Sequence, residues 1–161
     1  MHATASSAVT KIVMQTDQLA TLSLPPRVAF ADANALTCLS IFENIAVLDP
    51  SAHLVAFIHM DNSYYGSIDM SQKKAKTVVL FNGQFPSHGL YNRTQPGPGN
   101  DLWSLQTSND GLVVFPGGQP IYDHDGYFIG AVGVSGGTVE QDVDVAIHAA
   151  EAIGTTLKLD L

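Results

Sequence analysis

Residues 127–142 read Tyr-Phe-Ile-Gly-Ala-Val-Gly-Val-Ser-Gly-Gly-Thr-Val-Glu-Gln-Asp, and this stretch constrains the fold most. Its apolar first half predicts a strand over 127–134. Ser135, Gly136 and Gly137 then form a glycine-rich turn, and Thr138 opens a helix predicted to run to about residue 157. Thr138 and Gln141 fit a capping box, in which each side chain accepts a backbone N–H of the other residue. Glu140, Asp142 and Asp144 fall in the first two turns, where the helix dipole favours negative charge. Gly130, Ala131 and Gly133 strip the strand of bulk. Such a bare surface suits either a helix packed close to the sheet or a flat ligand.

The remaining elements are read around this unit. Pro25-Pro26 can open a helix that the Ala/Leu-rich residues 28–42 continue. Short strands at 45–49 and 54–60 flank Pro50-Ser51-Ala52 and form a hairpin. A helix is expected over 68–81, with Ile68, Ala75, Val78 and Val79 on its core face. Lys73 and Lys76 lie opposite, and Met70, Leu80 and Phe81 fall outside the core stripe, where a subunit or ligand would cover them. Residues 86–111 are rich in Pro, Gly, Asn and Ser and predict a long functional loop. Further strands are expected at 112–115 and 119–122, the latter joined to 127–134 through the turn Asp123-His124-Asp125-Gly126. The prediction is one α+β domain over 1–161, with 1–21 as a lead-in, an antiparallel sheet and flanking helices.

Composition narrows the function classes. Only 14 % of residues are charged, 45 % are apolar, and the net charge is −8. Disorder is disfavoured by so apolar a chain, and nucleic acid by the lack of a basic face. No apolar run reaches the ~18 residues of a membrane span. The expectation is a soluble homo-oligomer, since so apolar a surface invites a partner subunit or a small ligand. One cysteine, Cys38, and an N-terminus without signal-peptide character suggest the cytoplasm.

Several motifs bear on chemistry. Gly133-Val134-Ser135-Gly136-Gly137 matches a nucleophile elbow, yet the only downstream acid and histidine candidates lie on the helix that follows, aimed away from Ser135. Its free N–H groups could instead hold an anion. His53 can be oriented by Asp49 as a metal or haem ligand, although a turn-stabilising hydrogen bond is the more ordinary reading. No zinc-type spacing occurs, so no structural metal is expected. Lys73, Lys74 and Lys76 supply three of seven basic residues and would attract an anionic ligand.

These residues together carry a resemblance. Residues 125–142, Gly117-Gly118-Gln119-Pro120-Ile121, Asp49 with His53-Leu54-Val55-Ala56-Phe57, Met60-Asp61, Gly66-Ser67-Ile68 and Lys74-Ala75 with Thr77 resemble the GlcG/HbpS-type haem-binding, or haem-degrading, family. The resemblance covers about residues 22–153 and extends to the C-terminal domain of PduO-type corrinoid adenosyltransferases. It implies a profilin-like domain with about five antiparallel strands, self-association and, in some members, haem or iron binding. Asp49-Pro50-Ser51-Ala52-His53 departs from the family's Asp-Ala-Gly-Gly-His turn, and no axial ligand carries over.

Two functional expectations follow. The first is a binding module for haem or a similar tetrapyrrole, with Gly117, Gly118, Ser135, Gly136 and Gly137 beside the ring, Lys73, Lys74, Lys76 or Arg93 facing its carboxylates, and His53 as first candidate for the iron. The second is a cofactor-independent enzyme of isomerase or proton-transfer type, acting on a small hydrophobic metabolite through His53, Asp61, Lys74 and Glu140.

Overall fold

A computed structural model describes residues 42–157. The expected lead-in over 1–21 and the expected first helix up to residue 41, with Cys38 in it, lie outside the described residues. Four strands follow in chain order as β1 (Asn44–Leu48), β2 (Leu54–His59), β3 (Gly118–Tyr122) and β4 (Phe128–Ser135). They form one antiparallel sheet in the order β2-β1-β4-β3. The helices are α1 (Gly66–Leu80), the single turn α2 (Tyr91–Thr94) and α3 (Val139–Glu151).

Each face of the sheet carries one long helix. The two-residue period of β1 sends Ala46 and Leu48 to one side, where they pack with Ala75, Val78 and Val79 of α1. Ile45 and Val47 go to the other side, with Val145, Ala146, Ala149 and Ala150 of α3. Because β1 and β4 are central and covered on both faces, they read as nearly unbroken apolar runs. Gly133 makes the α1 contact possible: a Cβ there would lie 2.0 Å from the Ser71 carbonyl oxygen. Close helix-on-sheet packing, and not space for a ligand, is therefore what the bare stretch of β4 provides.

Two expectations need correction. The segment 112–115 is not a fifth strand, and the sheet has four among the described residues. Its backbone is satisfied by side chains: the Thr77 hydroxyl donates to Val113 O at 2.9 Å, and Ser87 Oγ donates to Phe115 O at 2.7 Å. Leu112 and Val114 are buried nonetheless, so the apolar alternation is real while the ladder is missing. The last helix also stops at Glu151, well short of 157. The chain turns there so that Thr155 can bridge to Tyr122, at 2.8 and 2.9 Å, with Gly154 pressed against the Tyr122 carbonyl.

The capping box forms as predicted, with Thr138 Oγ1 accepting from Gln141 N at 3.3 Å and Gln141 Oε1 accepting from Thr138 N at 2.9 Å. Of the off-stripe apolar residues, Phe81 falls just past the end of α1 and packs on Phe85 with ring centroids 5.3 Å apart. Among the described residues no helix is long and apolar enough to cross a membrane.

Candidate functional site

The glycine turn after β4 already holds an anion, and it belongs to the protein. Asp142 turns back on its own helix start, where Oδ1 accepts from Gly136 N at 3.2 Å and Gly137 N at 3.0 Å. Glu43, just before β1, adds a second carboxyl whose Oε2 accepts from Gly137 N at 3.1 Å. Lys74 reaches in from α1: its Nζ donates to Asp142 Oδ2 at 2.5 Å and Val134 O at 2.7 Å, and lies over the Phe115 ring. All three side chains are buried.

Burial raises the Glu43 carboxyl to about 8, helped by the neighbouring Asp142 charge. Burial also pulls the Lys74 ammonium below its ordinary value, while Asp142 and Glu43 pull it back up. At neutral pH Glu43 therefore keeps its proton, which avoids the cost of a second buried carboxylate beside Asp142. Glu43 Oε1 is buried without a hydrogen-bond partner.

This arrangement redistributes the predicted site residues. Lys74 is a fully buried tie and does not face a ligand carboxylate. Gly117, Gly118 and Ser135 are buried too. A Cβ on Gly117 would lie 2.6 Å from Lys74 Nζ, and one on Gly118 would lie 2.6 Å from Lys74 O, so both glycines leave room for α1. Lys73 pairs with Asp69 at 2.8 Å, Lys76 donates to Asn109 O at 2.5 Å, and Arg93 makes a two-pronged pair with Asp101 at 2.9 and 2.6 Å.

His53 stands at the opposite end of the sheet. The register pairs Asn44 with Ser135 and Leu48 with Ala131, so four residues, about 13 Å, separate the two ends. There Asp49 Oδ1 accepts from Ser51 N at 2.8 Å and His53 N at 2.9 Å, while the His53 ring lies 3.3 Å from Asp49 Oδ2. Burial alone would raise Asp49, but these hydrogen bonds outweigh it and hold the carboxyl below its ordinary value. Asp49 thus acts as a turn stabiliser, and the His53 side chain is 79 % exposed.

Among the described residues, clefts open at both ends of the sheet. One, about 400 Å³, is lined by Phe42, Asn62, Tyr64, Gly136, Gly137, Thr138 and Gln141. The other, about 410 Å³, lies at the His53 end and includes Leu48, Ala52, Leu54, Lys73 and Lys76. Of the predicted residues only Gly136 and Gly137 line the first. Asp61 and Glu140, both exposed, each adjoin one of its wall residues in sequence. Neither cleft brings together His53, Asp61, Lys74 and Glu140.

The sequence profile of the family described as "Haem degrading protein HbpS-like" matches residues 28–151. The chain belongs to this family. A 15.0 kDa protein from the dhaT-dhaS intergenic region of Citrobacter freundii is 35 % identical over 131 residues, covering 80 % of this chain and 89 % of that protein. The corrinoid adenosyltransferase PduO of Citrobacter freundii is 33 % identical over 109 residues, 68 % of this chain but only 31 % of the enzyme. Among solved structures, the PduOC:haem complex superposes with a TM-score of 0.68 at 31 % identity, covering 76 % of this chain and 86 % of that one. The chain thus shares its α+β fold with that structure.

Sequence reasoning missed Glu43 and Asp142 as partners of Lys74. Asp142 read as a dipole-complementing surface acid, and nothing local marks Glu43, which sits 94 residues from Gly137.

Proposed function

We propose that this chain is a binding module for haem or a closely similar planar tetrapyrrole, seated at the cleft beside the glycine turn. The observation that carries the reading is the chemistry of that cleft. Phe42 and Tyr64 present aromatic surface, 43 % and 72 % exposed, to a space of about 400 Å³. Among the described residues no charged side chain lines it. The Asn62 amide makes no hydrogen bond to another described side chain, and Gln141 uses only Oε1, so Nε2 is left to donate. Aromatic faces suit a macrocycle, and amide donors suit its carboxylates. The residues thus fit the group through stacking and neutral hydrogen bonds, with Lys73 and Lys76 at the far end of the sheet. Membership of the family and likeness to a domain crystallised with haem support the same reading. Self-association belongs to this proposal, because Leu54, Tyr65, Tyr127 and Leu157 leave apolar surface exposed.

Haemin titration tests it. The expected result is a saturable shift of the Soret band at micromolar protein, with the mass in solution measured alongside. A spectrum that stays that of free haemin throughout overturns the reading.

A further inference from the structure

β2 ends at His59, directly opposite Asn44 on β1. The Asn44 side chain is fixed by its own bonding: Nδ2 donates to Tyr64 O at 3.1 Å, which turns Oδ1 towards the imidazole. His59 Nδ1 lies 2.7 Å from that Oδ1. An amide oxygen only accepts, so the proton sits on Nδ1. Ser63 Oγ, 2.9 Å from the same Nδ1, sends its own proton to Met60 O at 2.7 Å and so also presents a lone pair. Two acceptors therefore hold one N–H. The lone pair is left on Nε2, which makes no hydrogen bond to any described residue.

The ring is also held from the side. Tyr65 stacks on it with centroids 5.4 Å apart and planes 26° apart. Tyr65 is 83 % exposed, and the adjacent Tyr64 forms a wall of the cleft described above. His53 offers a weaker arrangement, with a single 3.3 Å contact and no ring beside it. Among the described residues no group of three His, Cys, Asp or Glu could hold a metal ion. A lone oriented imidazole suits a metal already held by a macrocycle, which needs only an axial donor.

We propose that His59 Nε2 is the axial iron ligand of this chain, with Asn44 and Ser63 as the positioning residues that set its tautomer. The inference rests on the tetrapyrrole-binding reading. A histidine whose second nitrogen is tied by an acceptor is the usual form of an imidazole ligand, and loss of such a tie lowers metal affinity by about 10–100-fold.

The test begins without haem. Nitrogen NMR of the apo protein is expected to show His59 as the Nδ1–H tautomer; the opposite tautomer overturns the inference. Haemin is then titrated into wild type, His59→Ala, His59→Gln, His53→Ala and Asn44→Ala. Wild type and His53→Ala are expected to give the same Soret spectrum. His59→Ala and His59→Gln are expected to lose it, with added imidazole restoring it, and Asn44→Ala to weaken affinity at least tenfold. A wild-type spectrum that survives in both His59 variants, or vanishes in His53→Ala, overturns the assignment while leaving the binding reading intact. Failure of wild type to bind haemin overturns both.

Discussion

Lys74 and Asp142 lie 68 residues apart in sequence and meet at 2.5 Å with neither exposed. The contact joins α1 on one face of the sheet to the start of α3 on the other, at the edge where β4 gives way to the glycine turn. Lys74 also donates to Val134 O, so one ammonium ties two helices to a central strand.

Lys74→Met is therefore expected to destabilise the fold by about 3–5 kcal/mol, the range for leaving one partner of a buried pair uncompensated. Urea unfolding followed by circular dichroism measures it. A loss below 1 kcal/mol would show that the ammonium contributes little beyond the packing of its methylenes.

Glu43 sets the pH dependence. Its carboxyl, ordinarily near 4.5, is pushed up to about 8 by burial in the folded chain. Between those values the folded state holds a proton that the unfolded state has lost, so stability falls as pH rises through this window. It is greatest below the unfolded value and levels off above the folded one. One pKa unit corresponds to about 1.4 kcal/mol, so the loss attributable to Glu43 between pH 5 and 8 is on the order of a few kcal/mol. Glu43→Gln keeps a neutral side chain of similar shape and is expected to flatten this slope. Thermal unfolding at several pH values checks it, and an unchanged slope would assign the pH dependence elsewhere.

These effects show where the sequence was legible. The capped start of α3 was readable because Thr138 and Gln141 are neighbours whose bonds are local. The hairpins were readable for the same reason, with Asp49 and Asp123 each gathering nearby N–H groups. Lys74 was misread because its neighbours in sequence are surface lysines, while its partners come from α3, β4 and the chain before β1. The segment 112–115 looked like a strand because Leu112 and Val114 alternate inward, and no local pattern shows that Thr77 and Ser87 replace a ladder. His59 ends β2, and only the cross-strand register places Asn44 opposite it.

Gly133→Ala tests the packing of α1 on β4. The added Cβ would lie 2.0 Å from Ser71 O and 2.6 Å from Ala75 N, both backbone atoms of the helix. A helix backbone cannot yield as a side-chain tip can, so the cost is expected at the upper end of the ~1–3 kcal/mol typical of overpacking. Gly66→Ala serves as control, since nothing lies within 4 Å of its added Cβ. Comparable unfolding midpoints for the two variants would refute close packing as the role of Gly133.

The two clefts make opposite predictions about how a tetrapyrrole is held. At the glycine-turn cleft, binding depends on Phe42 and Tyr64 and on neutral donors. Removing an aromatic face forfeits on the order of 1 kcal/mol or more of contact energy, and 1.4 kcal/mol is tenfold in affinity. Phe42→Ala with Tyr64→Ala is therefore expected to weaken haemin binding at least tenfold. Lys73→Ser with Lys76→Ser, at the other cleft, is expected to change it less than twofold. Salt supplies an independent check. Attraction between exposed ammonium groups and propionates is screened over about 10 Å at 0.1 M salt, so binding at the lysine cleft would weaken as salt rises. Binding at the uncharged cleft is expected to be nearly constant between 0.05 and 0.5 M salt, values of order set by the same screening length. A steep salt dependence lost in the lysine variant would move the ligand to the His53 end of the sheet.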